Sequence, residues 1–299
     1  MWMGWVRVLR PSSPDAGTDP MPHDPARPPH VLMTRFNLAT PGREAAIRNQ
    51  PGWLAERFAL FERYCLPSVG AQTTRDFTWI VYFDKDTPQE FKDRIAALQR
   101  DVPFHAYYTG LFPTEGWPRS LSEVLGAMPP VVLTSRLDND DALAVDFIER
   151  TAAAAATAPS APRSGIVVTQ GFIRTDTAAY GISHPCNAFT SWLERTDSGQ
   201  PVLTAMGINH MEAAEFGPLV QVPGPGGWLQ VVHGNNVSNK VRGHRIRPRD
   251  LVGRFHPEAL QGLSDGNNLA VIFENFAVSP LRELRDETIT RLRRLKRRL

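Results

Sequence analysis

Residues 131–143 read VVLTSRLDNDDAL, an apolar, β-branched run that stops at three carboxylates within four positions, Asp138, Asp140 and Asp141. The same pattern occurs upstream. HVLMTRFN starts at His30 and ends in polar residues, and FTWIVYF (77–83) runs into Asp84-Lys85-Asp86. Such runs predict buried strands. Between them, PGWLAERFALFERYCLPSV places Trp53, Leu54, Phe58, Phe61 and Leu66 at helical spacing. Thr87-Pro88-Gln89-Glu90 offers an N-cap, a proline for the first helical position and a capping-box glutamate for a helix ending about Arg100. PFHAYYT (103–109) and VVLTSRL (131–137) read as a third and a fourth strand, and residues 142–157 as a helix. Crossovers of this length predict an α/β chain with a mainly parallel sheet flanked by helices. Ligands of such sheets bind at the carboxyl ends of the strands. Three of the four strands end there in candidate polar groups: Arg35 and Asn37, Asp84 and Asp86, Asp138 and Asp140.

The second half reads differently. GIVVTQGFI (165–173) predicts one strand, and CNAFTSWLE (186–194) the start of a helix. Mostly irregular or antiparallel pieces follow, a smaller acceptor-side half of the same domain. The expected organisation is a disordered tail over 1–29, a domain over 30–280 divided near 160/161, and a basic amphipathic helix over 281–299. Seven prolines in residues 11–29 account for the tail. Met21 or Met33 is an alternative start.

Net charge is +2, but residues 281–299 carry eight Arg/Lys against three Asp/Glu, so the remainder sits at −3. That body does not carry the electrostatic footprint of a nucleic-acid binder. Two cysteines, Cys65 and Cys186, are too few for a disulfide framework and read as buried structural thiols in a reducing compartment. No stretch reaches the roughly 20 apolar residues of a transmembrane helix, and residues 1–11 make a poor signal peptide. The expectation is a cytoplasmic protein with contact at the inner face of the cell membrane. Residues 281–299 would make that contact on anionic lipid, or else dock on their own domain.

The acidic triplet is the chemical centre of the sequence. An EF-hand loop is excluded, because the sixth position from Asp138 is Leu143 rather than glycine. Asp141 by itself is accounted for as a helix N-cap. Asp138 and Asp140 at a buried strand end require compensation, and a divalent cation such as Mg²⁺ or Mn²⁺ would supply it. Such an ion stabilises the charge that develops on a departing nucleoside diphosphate. Further on, WLQVVHGNNVSNKVRG (228–243) delivers His233 to a turn, either as a turn histidine or as a further metal ligand; Asn236 and Lys240 suit phosphate oxygens. No G-x-G-x-x-G follows the first strand and no P-loop occurs, which argues against a dinucleotide dehydrogenase or P-loop NTPase.

Taken together, HVLMTRFN, LPSVGAQTTRDFTWIVYFDKDTP, VVLTSRLDNDDAL, HPCNAFTSWLE and WLQVVHGNNVSN resemble the bacterial rhamnosyltransferase family, similar to GT-A glycosyltransferases of the spore-coat polysaccharide type. The resemblance spans about residues 31–242. It implies a GT-A-like single domain, a divalent cation and a nucleotide-sugar donor linked to dTDP, UDP or GDP. The acceptor would be a glycan or a lipid-linked glycan. In that reading Asp138 approaches the ribose, Asp140 and His233 hold the metal, Asp84 sits near the base, Arg35 and Asn37 line the same pocket, and Arg136 meets phosphate. Base candidates are His210, Glu212 (with Glu215 beside it) and Asp176. Asn187, Trp192 and Trp228 are acceptor-side candidates, the two tryptophans either as sugar-stacking rings or as core. Two alternatives stand: a non-catalytic scaffold with the same fold, and a sugar nucleotidyltransferase, disfavoured because no Gly-rich, Lys-ending signature follows the first strand.

Overall fold

The computed structural model describes residues 27–38, 48, 50–110, 116–234, 240–282, 284 and 285. The four expected strands form as β1 (His30–Arg35), β2 (Thr78–Asp84), β3 (His105–Thr109) and β4 (Val131–Arg136). They lie in the order β4-β1-β2-β3, every pair parallel. The two-residue period sorts their side chains to opposite faces. Leu32, Trp79, Val81 and Phe83 pack with Phe58 and Phe61 of the preceding helical segment. Val31, Met33, Ile80 and Tyr82 pack on the other face with Trp117 and Leu121 of the helix Gly116–Leu125. Burial on both faces is the reason these strands read as unbroken apolar runs.

The helical segment that leads into β2 runs as Trp53–Leu60, a π turn at Phe61–Cys65, and Leu66–Gly70. Pro67 has no N–H and its ring would crowd the carbonyl of Arg63 in a regular helix. In the π turn Leu66 N–H instead donates to Phe61 O, which widens the helix ahead of the proline. After β2, the helix Gln89–Asp101 forms without a side-chain cap. Thr87 is not its cap: its hydroxyl donates to Asp84 O and accepts from Asn37 Nδ2.

The second half departs from expectation in two places. Residues 165–173 are two strands, β6 (Arg163–Val168) and β7 (Gln170–Arg174), in different sheets. The break follows from Val168 O, which accepts from the side chains of Asn187 and Trp228 rather than continuing one ladder. Residues 186–194 do not start a helix but lead into β9 (Ser191–Arg195). The second half shares a sheet with the first, since β6, β9 and β10 (Leu219–Val222) extend that sheet to the order β10-β6-β9-β4-β1-β2-β3. Only β9 runs against its neighbours in that sheet.

A second sheet has the order β12-β8-β7-β11-β5, with β5 (Ala142–Leu143), β8 (Ala179–Ser183), β11 (Trp228–Val231) and β12 (His244–Ile246). The helix expected from residue 142 therefore begins later, at Phe147–Ala156. Asp141 is not its cap: its Oδ1 accepts from Val231 N–H at 2.8 Å and ties the acidic loop to β11. Of the two thiols, Cys65 is buried but Cys186 is only half-buried. Most of the expected tail and most of 281–299 lie outside the described residues. Among those described, no helix is long and apolar enough to cross a membrane.

Candidate active site

The carboxyl ends of β1, β2 and β4 converge, and each polar group there is held by a neighbour. Asn37, just after β1, accepts from Asp84 N–H through Oδ1 at 3.0 Å. Arg48 donates to both Asn37 O (2.8 Å) and Asp84 Oδ2 (2.7 Å). Asn139, in the middle of the triplet, donates through Nδ2 to Arg35 O and Phe36 O at 3.1 and 2.7 Å, which fixes the acidic loop across the end of β1. Asp86, expected beside Asp84, turns out to solvent: its side chain is 75% exposed and pairs with Lys85.

Asp140 is the focus. Its Oδ2 accepts from Arg57 Nη1 at 2.7 Å and lies 2.9 Å from His233 Nε2, across 93 residues of sequence. β4 delivers the carboxylate and β11 the imidazole, so their meeting is a product of the two sheets. Burial would push the Asp140 carboxyl up, but the His233 bond and the Arg57 cation outweigh it and hold it below its ordinary value. Asp141 goes the other way. Burial, then the charges of Asp140 and Asp138, push its carboxyl well up, with Val231 N–H as the main opposing contact. Asp138 is paired with Arg136 through two nitrogens at 2.9–3.1 Å.

His210 belongs to this neighbourhood. It opens the short 3₁₀ turn His210–Glu212 and is half-buried. Burial, then the Arg136 cation and the nearby His184, lower its pKa, with Asp138 opposing. Glu194 holds the segment that leads to this turn. Its buried carboxylate accepts from Arg163 Nε and from the N–H groups of Leu203 and Thr204 at 2.7–2.9 Å.

Other expected residues lie elsewhere. Glu212 is exposed, as is Glu215 in the next turn. Asp176 is exposed after β7, against Gly262 and Arg174. Trp192 and Trp228 are core, at 1% and 3% exposure, and offer no face to a sugar. Trp192 packs edge-on to Phe216. Trp228 stacks on Phe189 at 4.9 Å. Asn187 is likewise spent within the protein, donating to Val168 O and His184 O and accepting from Phe189 N–H. Lys240 is exposed; Asn236 lies outside the described residues. A cavity of about 580 Å³ opens instead at the amino end of β4, between Pro29, Pro130, Ala152 and Arg195, and is lined by none of these residues.

Sequence reasoning missed Arg48, Arg57, His184 and the bracing roles of Asn139 and Asp141. Arg57 did leave a signal. It adjoins the buried Phe58 and follows Trp53 by four positions, one helical turn, and its guanidinium lies over the Trp53 ring at 5.5 Å.

A carboxylate and an imidazole suit Mn²⁺ or Mg²⁺ when phosphate oxygens and water complete the shell. Among the described residues no cluster of three or more His, Cys, Asp or Glu side chains could hold an ion unaided.

Comparison with solved structures returns distant likenesses. S. aureus TarS 1–349 is 10% identical with a TM-score of 0.40, covering 68% of this chain and 60% of that one. The same protein in complex with UDP is 12% identical with a TM-score of 0.40, covering 69% and 60%. HddC from Yersinia pseudotuberculosis, complexed with GMP-PN, is 9% identical with a TM-score of 0.30, covering 68% and 89%. The chain thus spans three-fifths of the TarS 1–349 length it matches. No curated protein matches it. A family model does match, over residues 29–245, most of the chain and β1 to β11 in full, so the chain belongs to the glycosyltransferase family described as "Putative rhamnosyl transferase".

Proposed function

We propose that this protein transfers a sugar, a rhamnosyl group as the family description reads, from a nucleoside-diphosphate donor to a glycan or lipid-linked glycan in cell-surface polysaccharide synthesis. The observation that carries this reading is the meeting of Asp140 with His233 at 2.9 Å, beside the paired Asp138, at the carboxyl edge of a mainly parallel sheet. Asp140 and His233 are the residues that would hold Mn²⁺ or Mg²⁺. When bound, the ion offsets charge on the departing diphosphate. The chain's own cations do related work. Arg57, already on Asp140, and Arg136, already on Asp138, are placed to exchange a carboxylate for phosphate oxygens. Asp84, Asn37 and Arg48 form the neighbouring polar wall, where the base and ribose of dTDP, UDP or GDP would lie.

His210 is the base we assign over Glu212 and Asp176. Burial and Arg136 keep its imidazole neutral near pH 7, so its ring nitrogen accepts the acceptor hydroxyl's proton as that oxygen attacks the anomeric carbon.

The deciding experiment is thermal stabilisation by dTDP, UDP and GDP, each with and without Mn²⁺, on the wild type and Asp140→Asn. One nucleotide is expected to raise the melting temperature only with Mn²⁺, and by about 2.7 kcal/mol of stability at a hundredfold excess over Kd. The variant is expected to lose that gain. Folded protein that shifts with none of them would sink the donor assignment. A shift independent of Mn²⁺ would transfer the cation's role to Arg57.

A further inference from the structure

The helix Asn268–Phe273, with the π turn Glu274–Val278 that continues it, docks on the body through its polar side. Glu274 accepts from Tyr180 Oη, Arg245 Nη1 and Arg282 Nη1 at 2.7–2.9 Å. Asn275 exchanges two hydrogen bonds with the backbone of Arg245 in β12, and Ser279 is 2% exposed. The apolar side faces outward: Leu269 is 76% exposed, Ile272 53%, Phe273 65%, Phe276 83%, Leu281 66% and Leu284 62%. A helix on a globular surface normally has the reverse arrangement, with its apolar stripe against the core.

The backbone keeps this stripe continuous. Leu269, Ile272, Phe273 and Phe276 follow three/four spacing, but the step from Phe276 to Leu281 is five and would turn the leucines aside in a regular α-helix. The π turn absorbs one residue at that step, so Leu281 and Leu284 extend the same face. Basic charge follows it in the sequence: residues 281–299 carry eight Arg/Lys against three Asp/Glu.

We propose that this face is a docking surface for an anionic lipid bilayer. Its phenylalanines and aliphatic side chains would enter the boundary between headgroups and acyl chains, while the adjoining arginines and lysines meet lipid phosphates. Charge decides the occupant. A second copy seated on this face would bring one +5 segment against another, whereas anionic lipid neutralises it. The docking is independent of the donor chemistry.

The test is co-sedimentation of the full chain with vesicles of phosphatidylcholine alone or mixed with phosphatidylglycerol, for the wild type and the double variant Phe273→Ser/Phe276→Ser. The wild type is expected to pellet with the mixed vesicles only. The variant is expected to bind at least about tenfold more weakly, with its melting temperature unchanged because both side chains are exposed. Equal binding by wild type and variant, or no binding by the wild type, would overturn the proposal. So would a concentration-dependent dimer in analytical ultracentrifugation that the variant abolishes, which would make the face an interface between copies.

Discussion

Adjacent carboxylates in this protein have opposite fates because their partners differ. Asp140 meets an arginine and a histidine and is held low, whereas Asp141 meets one backbone N–H and two like charges and is pushed high. The triplet was legible as an acidic strand end, but which member faces which partner depends on Arg57 and Val231, far away in the chain. His210 carries the prediction at this scale. A neutral imidazole acting as base is inactivated by protonation, so the rate is expected to fall as pH drops through its pKa. Burial and Arg136 place that fall below the ordinary histidine range. Replacing His210 by Gln should lower kcat by about 10²–10⁴-fold and remove this acid limb, with Mn²⁺-dependent nucleotide stabilisation retained. A variant with a wild-type pH–rate profile would return the role to another residue.

Among the elements, β11 is the critical piece, because it carries His233 to Asp140 and is short. β7 supports it in parallel pairing, and Gly171 on β7 makes room for its first residue. A Cβ at Gly171 would stand 2.1 Å from the Trp228 ring, which is itself packed on Phe189 and bonded to Val168 O. Gly171→Ala is therefore expected to cost about 1–3 kcal/mol in urea denaturation. It should also weaken Mn²⁺-dependent nucleotide binding, because the strand that bears His233 shifts. Unchanged stability would mean that Trp228 has room to move. The element errors share one cause. CNAFTSWLE carries aromatic and small residues compatible with either structure, and its strand state is decided by β4 and β6 on its two sides.

At the scale of the molecule, β9 lies between β4 of the first half and β6 of the second. A division near 160/161 would cut the ladder between β4 and β9, leaving each half with an unpaired strand edge without the other. Urea unfolding is accordingly expected to give coincident transitions by tryptophan fluorescence and far-UV circular dichroism. Two separated transitions would show that the halves fold independently. The candidate site is likewise drawn from both halves: the loop after β4 carries the carboxylates, and the turns after β11 and after α-helical residues 204–207 carry the two histidines.

Strand and helix content in the first half was readable because strands buried on both faces must be apolar throughout and the helices between them must be apolar on one side. Periodicity therefore specified β1 to β4 and the helices after β1 and β2, but not the helix Gly116–Leu125 between β3 and β4. The acidic ends of β2 and β4 also showed where the polar edge lies, since carboxylates at a buried strand end demand compensation. What supplies that compensation is a long-range matter. Arg57 from a helix and His233 from the second sheet reach Asp140 only when both sheets are assembled. Trp192 and Trp228 show the same limit from the other side: an aromatic ring looks alike in a sequence whether it stacks on a sugar or fills a core, and burial at 1% and 3% decides for the core.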